Sequence, residues 1–201
     1  ALASSNTSRT MHFAIIFRVL GVLLMVFSLT LFPPILVSFW YADDSYTAFL
    51  WAFGITFSTG LIMWLPVYNL KQDLRTRDGF LITALFWSVL GLFACLPFYL
   101  SASVNLSFTD ALFESLSGLT TTGATVITGL DALPKSILYY RQQLQWLGGI
   151  GIIVIAVAIL PMLGIGGMQL YRAETPGPVK DSKLTPRITE TAKALFLIYL
   201  T

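Results

Sequence analysis

Charge is scarce in this chain. Only 11% of its 201 residues are Asp, Glu, Lys or Arg, while 56% are hydrophobic. An ordinary soluble domain carries about 25% charged residues, so this chain has too little charge to cover a water-facing surface. Cysteine and histidine are nearly missing: Cys95 and His12 are the single examples. A disulfide framework or cysteine metal site within one copy is therefore excluded, and so is a histidine-rich metal centre. Cys95 lies in an apolar stretch and reads as a small buried residue. No basic run interleaved with aromatics is present, so nucleic acid is not an expected partner. The net charge of +2 adds little.

What the chain has instead is long apolar runs. About 20 helical residues cross a hydrocarbon core of ~30 Å, and several stretches reach that length, which makes lipid the expected surroundings. The first ten residues, Ala1 to Thr10, are small and polar and precede Met11; they read as a cloning remnant or a disordered tail. A first apolar segment spans about His12 to Phe32 and meets Pro33-Pro34, which ends or bends it. Ile35 to Tyr41 carries Phe39, Trp40 and Tyr41 and reads as an interfacial aromatic belt. Asp43, Asp44 and Ser45 form a polar turn before a second segment, about Thr47 to Leu70. A charged loop with Lys71, Asp73, Arg75, Arg77 and Asp78 leads to a third, about Gly79 to Leu100, with Pro97 near its end. A fourth spans about Leu144 to Gly164, with Gly148, Gly149 and Gly151 at its opening and Gly164, Gly166 and Gly167 at its close. A proline-bearing linker, Tyr171 to Arg187, precedes a last apolar stretch, Thr191 to Thr201.

Ten of the twelve basic residues fall near the N terminus (Arg9, Arg18), in the 71–78 loop, or around the 172–190 linker. Lysine and arginine concentrate on the cytoplasmic side, so these three places are expected there; Lys135 and Arg141 are the exceptions. The third segment then ends outside and the fourth begins outside. Between them Phe108 to Leu119 is only 12 residues, roughly 18 Å of helix. That is half a bilayer, and it predicts a re-entrant half-helix dipping in from the outer face.

The chemistry is expected in the loop after it, Thr120-Thr121-Thr122-Gly123-Ala124-Thr125. Non-helical backbone at membrane depth is tolerated only where it is buried in protein or lines a watery cavity. Hydroxyl-bearing and small residues allow close packing, and Gly123 accepts positive φ at little cost. Successive carbonyls can thus be turned toward one axis, where they replace the hydration shell of a potassium ion. The half-helix C-terminus adds about half a negative charge. Asp110 sits near its opposite end, where an acid is favourable. Glu114 lies one turn further in, at a depth where an unpaired carboxylate is costly; Arg141 is one candidate partner. The bland readings are an ordinary Thr-rich external turn, with Asp110 a mere cap and Glu114 a solvated loop charge. The glycines of the fourth segment are explained by close helix packing or by a bendable helix beside a pore; without a preceding strand they are no dinucleotide fingerprint.

Asp110-Ala-Leu-Phe-Glu114-Ser-Leu-Ser-Gly-Leu-Thr-Thr-Thr-Gly-Ala-Thr-Val126 and Gln145-Trp-Leu-Gly-Gly-Ile-Gly151 resemble one repeat of the Trk/Ktr/HKT superfamily of potassium transporters, over all of the chain beyond the tail. The resemblance implies an all-α membrane protein with a potassium-channel-like pore. Residues 11–70 would form an N-terminal helical hairpin, as in the bacterial branch of that superfamily. Residues 79–171 would form one helix–pore helix–filter loop–helix repeat, and 172–201 a cytoplasmic linker and the start of the next repeat. It further implies four such loops around one pore, each with a key glycine, here Gly123. Thr121, Thr122, Gly123 and Ala124 would bind the ion, the first three through backbone carbonyls, with Thr120, Thr125, Asp110 and Glu114 in support. Potassium is then the transported substrate, with no organic cofactor. A homodimer, a nucleotide-binding regulatory subunit of the TrkA type on the cytoplasmic side, and the bacterial inner membrane are likewise implied. One loop where a pore needs four makes this chain the expected first part of a longer protein, unable to conduct alone. The single glycine implies a less stringent filter than that of potassium channels.

Two rivals are weighed against this. A secondary transporter with broken helices also uses half-helices near the midplane, and ion coupling separates it from a passive pore. A membrane-embedded enzyme needs a nucleophile and base, or paired carboxylates. Ser115 and Ser117 have no histidine partner, and Asp110 with Glu114 is the one pair available; no enzyme activity is expected.

Overall fold

The computed structural model describes residues 13–68, 76–158, 194 and 197–199. The tail, most of the 71–78 loop, the linker, the closing glycines at 164–167 and most of the last segment lie outside the described residues. So do most of the basic residues behind the orientation expectation.

Among the described residues every regular element is helical, in the order α1 (Phe13–Leu29), α2 (Phe32–Tyr41), α3 (Tyr46–Trp64), α4 (Thr76–Ala94), α5 (Leu96–Leu100), α6 (Phe108–Leu119) and α7 (Lys135–Ala158). Three stretches are long and apolar enough to cross a membrane, Ala14–Tyr41, Tyr46–Val67 and Leu81–Leu100. Each contains a proline, and each proline sits in the first turn of a helical piece, where its missing N–H costs nothing. Pro33 and Pro34 open α2, Pro66 opens the 3-10 turn Leu65–Val67, and Pro97 opens α5. The first pair therefore bends the crossing segment, and the aromatic stretch Phe39 to Tyr41 continues it as the outward-facing end of α2.

α1 and α3 pack as a hairpin. At their crossing a Cβ on Gly21 would come within 2.7 Å of the Gly60 carbonyl oxygen, and one on Gly60 within 2.8 Å of the Gly21 oxygen. Small residues are what let apolar helices approach without the hydrophobic drive that lipid removes. The main core lies where α2, α3, α4, α5, α6 and α7 meet, around Phe49, Phe98 and Tyr140. The Tyr140 ring meets Phe49 edge-on at 5.4 Å and Phe98 at 5.1 Å. Its hydroxyl donates at 2.9 Å to the Ala94 carbonyl, which the break between α4 and α5 exposes. A buried phenol and a buried carbonyl thus satisfy each other.

α7 departs from the expected boundaries. Lys135 to Gln143 is helical, so α7 starts nine residues before Leu144, and Gly148, Gly149 and Gly151 lie inside the helix rather than opening it. Hydropathy alone had placed the start where the polar residues stop. The helix starts at Pro134, whose carbonyl accepts from Leu138 N. It is also capped from afar: Ser136 N donates to Asp43 Oδ2 at 2.9 Å, while Ser38 Oγ and Ser45 N donate to Asp43 Oδ1. A residue in the hairpin turn thus fills the role that a local N-cap ordinarily plays.

Burial by itself pushes the Asp43 carboxyl up, but the hydrogen bonds from Ser38, Ser136 and Ser45 outweigh it and hold the pKa below its ordinary value. A carboxyl lowered by folding contributes stability above its unfolded pKa, and that contribution drains away as pH falls through the folded one. Asp43→Ala should cost about 1 kcal/mol at neutral pH, and the gap from the parent protein should close below about pH 4. Thermal unfolding of the detergent-solubilised protein at several pH values would check both; a gap that persists in acid would contradict the cap.

Candidate functional site

A short helix forms over the residues the sequence predicted. α6 spans Phe108–Leu119, 12 residues, and begins at a built N-cap. The Ser107 hydroxyl accepts from Asp110 N at 3.2 Å and donates to Asp110 Oδ2 at 2.7 Å. One orphan amide is satisfied, and an acid sits at the positive end of the helix dipole. Asp110 therefore belongs to the cap, one of the readings the sequence allowed it; Ser107, its partner in the Ser-x-x-Asp spacing, was not singled out.

The other end of α6 turns through a Schellman closure. Thr122 N donates to Ser117 O at 3.0 Å and Thr121 N to Gly118 O at 2.9 Å. The closure puts Thr121 in the left-handed region at φ 56°, and Gly123 follows at φ 73°. A β-branched residue at positive φ is a true outlier, so the turn is imposed by its surroundings and not by local preference. α6 is pressed against both flanking helices. A Cβ on Gly148 of α7 would overlap the Leu119 backbone, one on Gly118 would come within 3.1 Å of Leu144 Cβ, and one on Gly91 of α4 would overlap the Leu116 side chain. The Ser115 hydroxyl adds a buried bond of 2.8 Å to the Gly91 carbonyl.

Glu114 organises what comes after the turn. Its side chain is 1% exposed and meets Arg141 of α7, Nε to Oε2, at 3.1 Å. Its other oxygen accepts from Thr125 Oγ1 at 2.5 Å, Val126 N at 2.7 Å and, more weakly, Ile127 N at 3.4 Å. One carboxylate thus ties α6, the returning strand of the loop and α7 together, and Arg141 is the partner that the sequence offered as a candidate. Ser117, which the sequence reading used only to discount a hydrolase, supports the same loop: its hydroxyl donates at 2.7 Å to the Ala124 carbonyl. Thr120 Oγ1 bonds to Leu116 O and lies 2.8 Å from Thr122 Oγ1.

The predicted residues Thr120 to Thr125 form one exposed loop at the tip of α6. The loop amides of Thr121, Thr122 and Gly123 are bonded back to the helix, and Ala124 O is engaged by Ser117. Among the described residues, no hydrogen bond ends on the carbonyls of Thr121, Thr122 or Gly123. Three consecutive backbone oxygens are left open on a loop tethered at several of its other polar groups, an arrangement that can ligate a hard, desolvated cation. Among the described residues there is also no cluster of three or more His, Cys, Asp or Glu.

Comparison with known proteins relates the chain to cation transport proteins. The family described as TrkH, cation transport protein, matches residues 45–201. The chain is 68% identical over 191 residues to the Trk system potassium uptake protein TrkH of Halomonas elongata, covering 95% of this chain and 40% of that protein. It is 57% identical over 190 residues to TrkH of Escherichia coli K12, covering 94% of this chain and 39% of that protein. The crystal structure of the potassium transporter TrkH from Vibrio parahaemolyticus superposes with a TM-score of 0.79 at 53% identity, over 94% of this chain and 37% of that one. The chain thus spans about two fifths of the length of these relatives.

Removing Glu114 would strand Arg141 and free three donors at once. Glu114→Ala should cost about 3–5 kcal/mol, the usual loss when one partner of a buried pair is removed. Arg141→Met should cost less, because the carboxylate keeps its bonds to Thr125, Val126 and Ile127. Thermal unfolding of the full-length variants measures the order; equal losses would mean that the ion pair, not the loop, is what Glu114 serves.

Proposed function

Because the chain belongs to the TrkH family of cation transport proteins, we propose that it is the first part of a potassium uptake protein and supplies one of four filter loops around a channel-like pore. The observation that carries this reading is the open row of carbonyls at Thr121, Thr122 and Gly123, braced from behind by Ser117 and Glu114. Ala124 completes the row with an oxygen that still has one free lone pair. Potassium is the transported substrate. Residues 11–70 serve as the N-terminal hairpin, 79–171 as the first repeat and 172–201 as the linker into the second. α6 is then the pore helix, re-entrant from the outer face, with the N terminus cytoplasmic and the protein in the inner membrane. The relatives are named for a Trk system, which supports assembly with other components; we assign a second copy of the chain and a cytoplasmic nucleotide-binding subunit of the TrkA type.

The test is Gly123→Val in the full-length protein, in cells lacking other potassium uptake. A branched side chain is strained at this positive φ and crowds the carbonyl row. Potassium uptake should fall about tenfold or more, the factor given by 1.4 kcal/mol of lost ion stabilisation. Undiminished uptake with an unchanged potassium-over-sodium preference would remove the filter. Flux that follows the potassium gradient alone fits a pore, whereas a requirement for a proton or sodium gradient would transfer the protein to the secondary-transporter class.

A further inference from the structure

We infer that Gln145 is a specificity-determining residue of the ion path, positioning the backbone of Gly123 from the inner face of α7. The inference rests on the filter reading above. A Cβ built on Gly123 would meet one atom within 4 Å beyond its chain neighbours: Nε2 of Gln145, at 3.5 Å. The carboxamide of Gln145 is therefore the surface against which Gly123 lies.

The rest of the loop shows why that matters. Every other stretch has a tether: the amides of Thr121 to Gly123 bond to the end of α6, Ala124 O to Ser117, and Thr125 to Ile127 to Glu114. The peptide plane that carries the Gly123 carbonyl has only its neighbours. A glycine at φ 73° has no side chain to limit the swing of that plane, so the limit must come from outside. Gln145 is the described group in place to supply it.

Gln145 is also otherwise unemployed. It is half-buried in the middle of α7, one turn before Gly148, where α7 touches the Leu119 backbone. Its neighbour Gln143 donates to the Thr30 carbonyl. The Gln145 side chain, in contrast, has no hydrogen-bond partner among the described residues. A carboxamide carries two donors and an acceptor, and those of Gln145 are available to the loop. Directed at the loop, its donors hold the oxygen row at one spacing, and that spacing favours one ion radius over another. Gln145 adds no charge, so it tunes discrimination rather than the attraction of cations in general.

The experiment uses the full-length protein in cells lacking other potassium uptake, and compares potassium with sodium uptake for Gln145→Leu and Gln145→Glu. Gln142→Leu is the control, because Gln142 lies on the face of α7 toward Thr30 and Pro33. Both Gln145 variants should lower the potassium-over-sodium preference about two- to tenfold, the range set by the net worth of one hydrogen bond, and Gln142→Leu should leave it unchanged. A preserved ratio, whether uptake stays full or both ions fall by one factor, would overturn the assignment. If the leucine variant fails to accumulate in the membrane, Gln145→Glu, equal in size and polar, is read by the same criteria. Gly123→Val run alongside separates the two levels. Normal uptake by that variant removes the filter itself, whereas its failure together with unchanged Gln145 ratios removes only the role of Gln145.

Discussion

A carboxylate buried as completely as Glu114 has to be satisfied by hydrogen bonds and an opposite charge, at a cost when either is lost. The surrounding structure is the answer to that demand. Arg141 has to sit at one height on α7, which fixes how far α7 slides along α6. The amides of Val126 and Ile127 have to face the same group, which folds the loop back against the helix it has just left. With α6 and α7 locked in register, Gly118 and Gly148 fall at the contacts where a side chain would not fit. The shape of the loop tip therefore depends on a charge pair buried behind it, away from the open carbonyls.

The turn at Thr121 shows the same dependence from the other side. Threonine resists the left-handed region, yet the Schellman closure holds it there at φ 56°. Such a residue persists only where its neighbours over-determine it. Here α4 and α7 grip both sides of α6, and Ser117 and Glu114 secure the returning strand. Strain in the loop and tight packing of its frame thus go together.

Much of this was legible in the sequence because it is local. The bounds of α6 follow from a 12-residue amphipathic stretch between Ser107 and the threonine run, and the loop from its glycine and hydroxyl content. The Pro33-Pro34 pair announced a break near Thr30, and the expected depth made Glu114 conspicuous before any partner was known. What escaped was decided by distant partners. The polar opening of α7 reads as loop until Asp43 is seen to cap it from another hairpin. Ser117 reads as an ordinary helix serine until the loop brings Ala124 over it. Gln145 reads as the edge of an apolar segment until the fold lays Gly123 against it. Hydropathy reports the surroundings of a whole segment, and none of these three residues shares the character of its segment.

The capping of α7 by a residue 93 positions earlier bears on how such a chain is built during synthesis. Bare amides at a buried helix start are costly. The hairpin turn holding Asp43 leaves the ribosome well before α7 does, so a ready acceptor awaits those amides on arrival. α7 and the Asp43 turn are therefore not independent units: the start of one is completed by an acceptor in the other.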